Sequence, residues 1–243
     1  MQIIRFLTFA DANRVLSAYS TFSLNSTVYY WQQGWENNDS LVGDTKENIV
    51  EFKEGNLKTH TFEFGAATLL SCWTILEGEK LSPSDWDLFP DRADGIAIIS
   101  SVEAVSSLLS ELREDVLDKD WHFAHDKVIY YDQNERPPLF ETMDTWKWKR
   151  KRYEIQREYR FAFLKGSSGE KLQSVIFYVH DPSSYIQKIY FGPKMTKDKQ
   201  HEILAGAIAA GVPGRIQNSW WSQTTSPGGK RLRQADERDH SGE

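Results

Sequence analysis

Hydrophobic positions along the chain follow two periods. Val105, Leu108, Leu109, Leu112 and Val116 recur at helical spacing, and Ser100 with Glu103 three residues on forms a capping-box pattern ahead of them. Thr196 opens a second helical stripe through Ile203, Leu204 and Ile208 to Gly211. A third follows Asp11, with Val15, Leu16 and Tyr19 on one face. A fourth helix is expected over Glu141–Arg152, ending in cations that suit a helix C-terminus.

Elsewhere the pattern is β-like. Ile3–Phe6, Thr21–Tyr30, Ala67–Thr74, Gly95–Ser100 and Lys127–Tyr131 are short runs of aliphatic, aromatic and β-branched residues. Asn48–Lys58 reads as a short helix or a hairpin arm, and Leu76–Asp94 as an irregular charged connection. Glu154–Leu164, Leu172–Val179 and Ile186–Phe191 continue the series, so strands dominate the second half without regular helix alternation. The expected fold is therefore α+β, with a mixed, largely antiparallel sheet of about seven strands and three or four helices. From Ser222 the chain is Gln, Thr, Ser, Pro, Gly and charge. That predicts a single globular domain over 1–221 and a disordered tail over 222–243.

Composition narrows the classes. Hydrophobic residues make up 40 % of the 243, enough for a sizeable core. No apolar run reaches the roughly 20 residues of a spanning helix, and Met1–Arg5 shows no leader-like apolar core, so a cytoplasmic protein without a membrane partner is expected. The single cysteine, Cys72, cannot form an internal disulfide and is expected in the core. The net charge of −6 argues against a general nucleic-acid coat but allows a local basic site. The run Trp146–Arg152 is such a site: Lys147, Lys149, Arg150, Lys151 and Arg152 are candidate phosphate contacts with interleaved tryptophans. Its other interpretation is a solvated helix end. Glycine-rich nucleotide motifs are absent. The six histidines show no zinc-type spacing, with His122 and His125 a weak loop pair, and no metal site is expected. Glu77, Glu79 and Lys80 are the nearest approach to a nuclease's acids and lysine.

The most informative segment is Glu154–Phe163. In an unbroken strand Glu154, Gln156, Glu158, Arg160 and Ala162 share one face. That face is either a polar surface in water or a cleft joining a carboxylate, an amide and a guanidinium. In the cleft, Arg160 keeps the carboxyl of Glu158 ionised. Ser71 and Thr74, at the end of an apolar strand, can bind a ligand or satisfy the strand end. Arg5, between Ile4 and Phe6, points out at an edge or binds an anion within a cleft.

Taken in order, several segments resemble a bacterial family known as a domain of unknown function, often found near phage-defence genes. They are Leu70–Thr74, Trp86, Gly95–Ile98, Lys127–Tyr131, the segment from Lys149 and Arg150 to Glu154–Arg160, and Ile189–Pro193. The likeness spans about Ile3 to Leu204. It departs at an Asn-Asp-Pro turn, where this chain has Asn37-Asn38-Asp39. The same pattern resembles diverged ADP-ribosyltransferases of the Arg–Ser–Glu type. That resemblance implies NAD as substrate and three catalytic residues. Arg5 would hold the pyrophosphate, Ser71 the nicotinamide ribose, and Glu158 the ribose hydroxyl at an oxocarbenium-like centre. Gln156 would place an acceptor, a protein or a nucleic acid. Thr74 and Arg160 complete the expected NAD-binding set, and Glu158→Gln is expected to remove activity while leaving the fold intact. Two alternatives stand beside this one: a nucleic-acid-binding or nuclease-like defence protein using the basic run, and a non-catalytic sensor or partner-binding domain.

Overall fold

The computed structural model describes residues 1–26, 49–54, 58–63, 68–78, 81–117, 120–132, 142–165 and 174–217. The expected tail over 222–243 and the Asn37-Asn38-Asp39 corner lie outside them. The first half runs β1 (Gln2–Leu7), α1 (Phe9–Val15), β2 (Thr21–Ser26), β3 (Ile49–Glu54), β4 (Lys58–Glu63), β5 (Thr68–Ile75), α2 (Pro83–Asp87), β6 (Ile96–Ser101) and α3 (Val102–Val116). The second runs β7 (Trp121–Lys127), β8 (Ile129–Tyr131), β9 (Trp148–Arg150), β10 (Glu158–Lys165), β11 (Ser174–Tyr178), β12 (Lys188–Phe191), α4 (Lys197–Ala209) and β13 (Ile216–Gln217).

Nine strands share one sheet. Every neighbouring pair in it is antiparallel except β12 with β13, so the fold is α+β with a largely antiparallel sheet. β5 is its centre. β10 pairs along one edge of β5 from Glu158↔Thr74 to Leu164↔Thr68, and β7 lies outside β10. The other edge of β5 is divided. β1 takes its C-terminal end through Ile3↔Ile75 and Ile4↔Thr74, and β2 takes its N-terminal half through Asn25↔Leu70 and Ser26↔Leu69. Past Ile4 and before Asn25 the two strands part from β5, which leaves a fork in the sheet.

The two faces are covered differently. Ile3, Trp73, Ile98, Phe161 and Phe163 belong to the main core, together with Val105 and Leu109 of α3 and Ile203 and Ala207 of α4. The opposite face carries a smaller cluster of Ile4, Phe6, Trp86 and Ile99, and a third made of Leu70, Trp146, Ala162 and Leu164. Phe6 meets Trp86 edge to face at 4.9 Å and stacks on Phe89 at 4.9 Å. Gly95 is needed where its backbone crosses β1, because a Cβ there would fall on the carbonyl oxygen of Leu7.

Several boundaries differ from expectation for local reasons. Among the described residues of Asn48–Lys58, Ile49–Glu54 is a strand, β3, paired antiparallel with β4, and not a helix. The cap of α3 is Ser101, whose Oγ accepts from Ala104 N, because the Ser100 hydroxyl is already given to the Tyr185 carbonyl at 2.6 Å. The cap of α1 is Thr8, with Asp11 inside the first turn. Among the described residues of the expected Glu141–Arg152 helix, 142–152, no α-helix forms: a 3-10 turn (Thr142–Lys147), β9 and a second 3-10 turn (Lys151–Gln156) replace it. Trp146 and Trp148, 4 % exposed each, are buried rather than spaced along a solvated helix. The segment holding His122 and His125 is strand, not loop. Three residues apart in β7, the two rings point to opposite faces, so they cannot act as a metal pair.

Candidate functional site

A cavity of about 280 Å³ opens at the fork, between β1, β2 and β5. Arg5, Thr74, Lys149, Gln156 and Glu158 all line it. How the local sequence brings them there differs from residue to residue.

Glu158 and Gln156 do not reach the cavity by strand alternation. The strand begins only at Glu158, Gln156 ends the preceding 3-10 turn, and Arg157 between them adopts a left-handed conformation at φ 47°. That reversal aims both side chains into one space. Left-handed backbone costs a non-glycine residue about 1 kcal/mol, and here the Arg157 side chain secures it. Its guanidinium lies 2.9 Å from Glu77 and 2.9 Å from Asp85. Asp85 also accepts from the Ser82 backbone N at 2.8 Å, so α2 is tied to the same anchor.

Glu158 is 6 % exposed and Arg160 is fully buried, so this strand face is not a polar surface in water. Arg160 donates Nε to Glu158 Oε1 at 2.7 Å and Nη2 to Oε2 at 3.3 Å, and its Nη1 donates to the Trp146 carbonyl at 2.5 Å. Lys149 Nζ donates to Glu158 Oε2 at 2.8 Å and to Gln156 Oε1 at 2.9 Å. The backbone N of Glu158 donates to Tyr130 Oη at 2.8 Å. Burial alone would raise the Glu158 carboxyl, but the Arg160 and Lys149 charges and hydrogen bonds from Arg160 and Cys72 outweigh it. They hold the group well below the usual carboxylate range. A carboxylate offers about four lone-pair positions. With two donors from Arg160, one from Lys149 and one from Cys72, those of Glu158 are occupied. Cys72 is thus a half-buried neighbour of the cavity rather than pure core packing.

Arg5 belongs to the face opposite Ile4 and Phe6, yet it lines the same cavity because no β5 residue pairs it at the fork. Its guanidinium lies 5.2 Å from the Phe22 ring centroid and 5.9 Å from that of Trp73. One long hydrogen bond runs to the Ser23 carbonyl at 3.5 Å. Among the described residues no carboxylate lies within ion-pair distance of it. Thr74, the cross-strand partner of both Ile4 and Glu158, contributes a hydroxyl to the wall.

Ser71 is elsewhere. It is fully buried on the face opposite Glu158, where its Oγ accepts from Trp73 Nε1 at 3.0 Å. Strand alternation dictates this: Ser71 pairs Phe161, whereas Cys72 and Thr74 pair Arg160 and Glu158. The basic run is divided too. Lys149 is buried in the cavity wall, while Lys151 and Arg152 are exposed and Arg150 is half-buried beside Tyr153. Lys147 lies 4.0 Å from Asp126. The cations therefore do not form one outward stripe.

Arg14 and Arg92 also line the cavity, so four cations face Asp11 and Glu158 there. Arg14 lies 3.4 Å from Asp11, and Arg92 donates to the Phe6 carbonyl at 2.8 Å. The sequence pointed to neither arginine: Arg14 reads as an ordinary polar position on the helix that follows Asp11, and Arg92 lies in the irregular Leu76–Asp94 connection. Lys149 directly follows Trp148, which is itself buried, within the short strand β9. The balance of the lining is positive in a chain of net charge −6, which suits an anionic ligand. No helix among the described residues is long and apolar enough to cross a membrane. Compared with known protein families, curated proteins and solved structures, the chain matches none.

Proposed function

We propose that the cavity at the fork binds a phosphate-bearing nucleotide, NAD foremost, and that the chain is an NAD-dependent ADP-ribosyltransferase-like effector acting in the cytoplasm. The observation that supports this best is the state of Arg5. A half-buried guanidinium in a cavity wall, cushioned by Phe22 and Trp73 and without a carboxylate partner among the described residues, is suited to a bidentate phosphate contact. Across the same cavity an ionised Glu158 supplies the negative charge that an oxocarbenium-like centre needs.

In such a transfer the bond between ribose C1′ and nicotinamide breaks, and nicotinamide leaves with the bonding pair. A nucleophile of the acceptor then bonds to C1′ and gives up its proton. Glu158 would take the ribose hydroxyl by exchanging one of its present donors. Arg160 is anchored to the Trp146 carbonyl, so Lys149 and Cys72, which line the cavity, are the donors a ligand can displace. Thr74 takes the place that the pattern of the resembled enzymes gave to Ser71. Gln156, at the same wall, faces the acceptor, a protein or a nucleic acid. A setting in phage defence or a toxin system rests on the resemblance alone.

The test is incubation of the purified full chain with NAD labelled in its adenylate half and a cell lysate. Label transferred to a macromolecule by the unaltered chain and lost in Arg5→Gln supports the proposal. Absence of both NAD binding and transfer overturns it.

A further inference from the structure

The cavity is chemically lopsided. Its inner wall carries Arg5, Lys149 and Glu158, whereas its outer end runs onto β11, where Ser174 and Ile176 line it. Alternation sends Phe177 into the core, 1 % exposed, and leaves Ile176 and Tyr178 on the other face, 56 % and 67 % exposed. Their cross-strand partners on β2 are Ser23 and Thr21, and both of these also line the cavity. An exposed isoleucine and tyrosine two residues apart on β11, the outermost strand of that edge among the described residues, therefore form an apolar shelf continuous with a cationic cavity.

We propose that this shelf is the subsite for the nucleobase, so that the ligand lies with its phosphates at Arg5 and its base against Ile176 and Tyr178. The inference deepens the nucleotide assignment above and rests on it. The charge pattern selects this occupant. A ligand complementary to both ends carries negative charge at one end and a flat, weakly polar ring at the other, as a nucleotide does. Inorganic phosphate or pyrophosphate would use only the cationic end. A stacking surface of this kind meets the face of a base rather than its hydrogen-bonding edge, so it favours nucleotides over pyrophosphate without selecting strongly among bases.

Calorimetric titration of the full chain with ADP-ribose and, separately, with pyrophosphate tests this. The unaltered chain is expected to bind ADP-ribose more tightly than pyrophosphate. The double variant Ile176→Ser, Tyr178→Ser is expected to weaken ADP-ribose roughly tenfold, the loss of one base-stacking contact, and to leave pyrophosphate unchanged. Retained pyrophosphate binding also reports an intact fold. ADP-ribose binding unaffected by the double variant, or weakened no more than pyrophosphate, overturns the shelf and leaves the nucleotide assignment standing. Failure of the unaltered chain to bind either ligand overturns both.

Discussion

Lys149 Nζ and Glu158 Oε2 meet at 2.8 Å with side chains only 4 % and 7 % exposed, so a buried ion pair forms one wall of the cavity. Arg160, wholly buried, closes on the same carboxylate from the sheet side. Two cations share one anion there, and each of the three charges depends on the others for compensation.

Glu158→Gln therefore should not leave the fold untouched, contrary to what an isosteric change at an active-site surface suggests. Removing the shared charge strands Lys149 and Arg160 in a low-dielectric setting. Breaking such a buried pair typically costs about 3–5 kcal/mol. Urea denaturation should show a loss of unfolding free energy of that order, read from a lowered midpoint with the slope unchanged. A shift below about 1 kcal/mol would mean that the carboxylate does not compensate the two cations. Activity of this variant is interpretable only alongside that measurement.

The same carboxyl sets the acid limb of stability. Its folded pKa lies below its ordinary value of 4.5, so the unfolded chain takes up the proton first. The stabilisation is fully present above that value and is lost progressively as the pH falls through and below it. Tyr130 contributes to an alkaline limb, together with Tyr159, Tyr185 and Tyr190, whose hydroxyls burial also raises. Burial, then the Glu158 charge, pushes the Tyr130 hydroxyl up to about 12 from 10, so stability falls as the pH rises between those values. Melting temperature measured across both ranges should decline at each end. Tyr130→Phe should make the alkaline decline shallower without abolishing it, and an unaltered decline in that variant would remove Tyr130 from the account.

What the sequence made legible follows periodicity. The apolar run of β6 and the stripe of α3 were visible because a strand or helix buried on one side repeats its hydrophobic residues. Arg5, Thr74, Gln156 and Glu158 were visible as polar residues within or beside such runs, and they converge on one cavity. Ser71 misled because order along the chain does not specify a face: one position decides whether a β5 hydroxyl meets Glu158 or Trp73. The fork, and with it Arg5's access to the cavity, was invisible, since register between distant strands leaves no local trace. Lys149 was assigned to the exterior because a cationic run reads as solvated unless its carboxylate partner, nine residues away across a left-handed turn, is known.

Arg157 should reveal its strain through a pair of variants. Arg157→Ala loses the contacts to Glu77 and Asp85 and keeps a Cβ at φ 47°. Arg157→Gly loses the same contacts but relieves the conformation. The glycine variant should accordingly be the more stable of the two by about 1 kcal/mol, measured by denaturant titration. Equal stability, or an advantage for alanine, would show that the left-handed turn is not under steric strain. Because the turn aims Gln156 and Glu158 into the cavity, both variants should weaken nucleotide binding beyond the effect of the stability change.

The basic run yields the final expectation, and it separates burial from surface charge within a few residues. Lys151 and Arg152 are exposed, and Lys151 has only a 3.9 Å contact with Glu154, with both side chains well exposed. Substituting the two exposed cations together with Gln should change stability by no more than about 0.5 kcal/mol, since exposed pairs contribute little. Arg152 Nη2 donates to Tyr153 Oη at 2.6 Å, which marks the upper end of that range. Lys149→Gln removes a buried cation from Glu158 and Gln156 and should cost several times as much. A triple change of Lys149, Arg150 and Lys151 would therefore confound a nucleic-acid experiment by weakening the fold. The Lys151–Arg152 double variant is the clean probe. Should the unaltered chain retard RNA or DNA in a gel at low salt, the double variant should weaken that binding for every sequence alike, with about one unit lost from the salt slope per phosphate contact removed. Equal stability of the Lys149 variant and the exposed double variant would contradict the buried clamp.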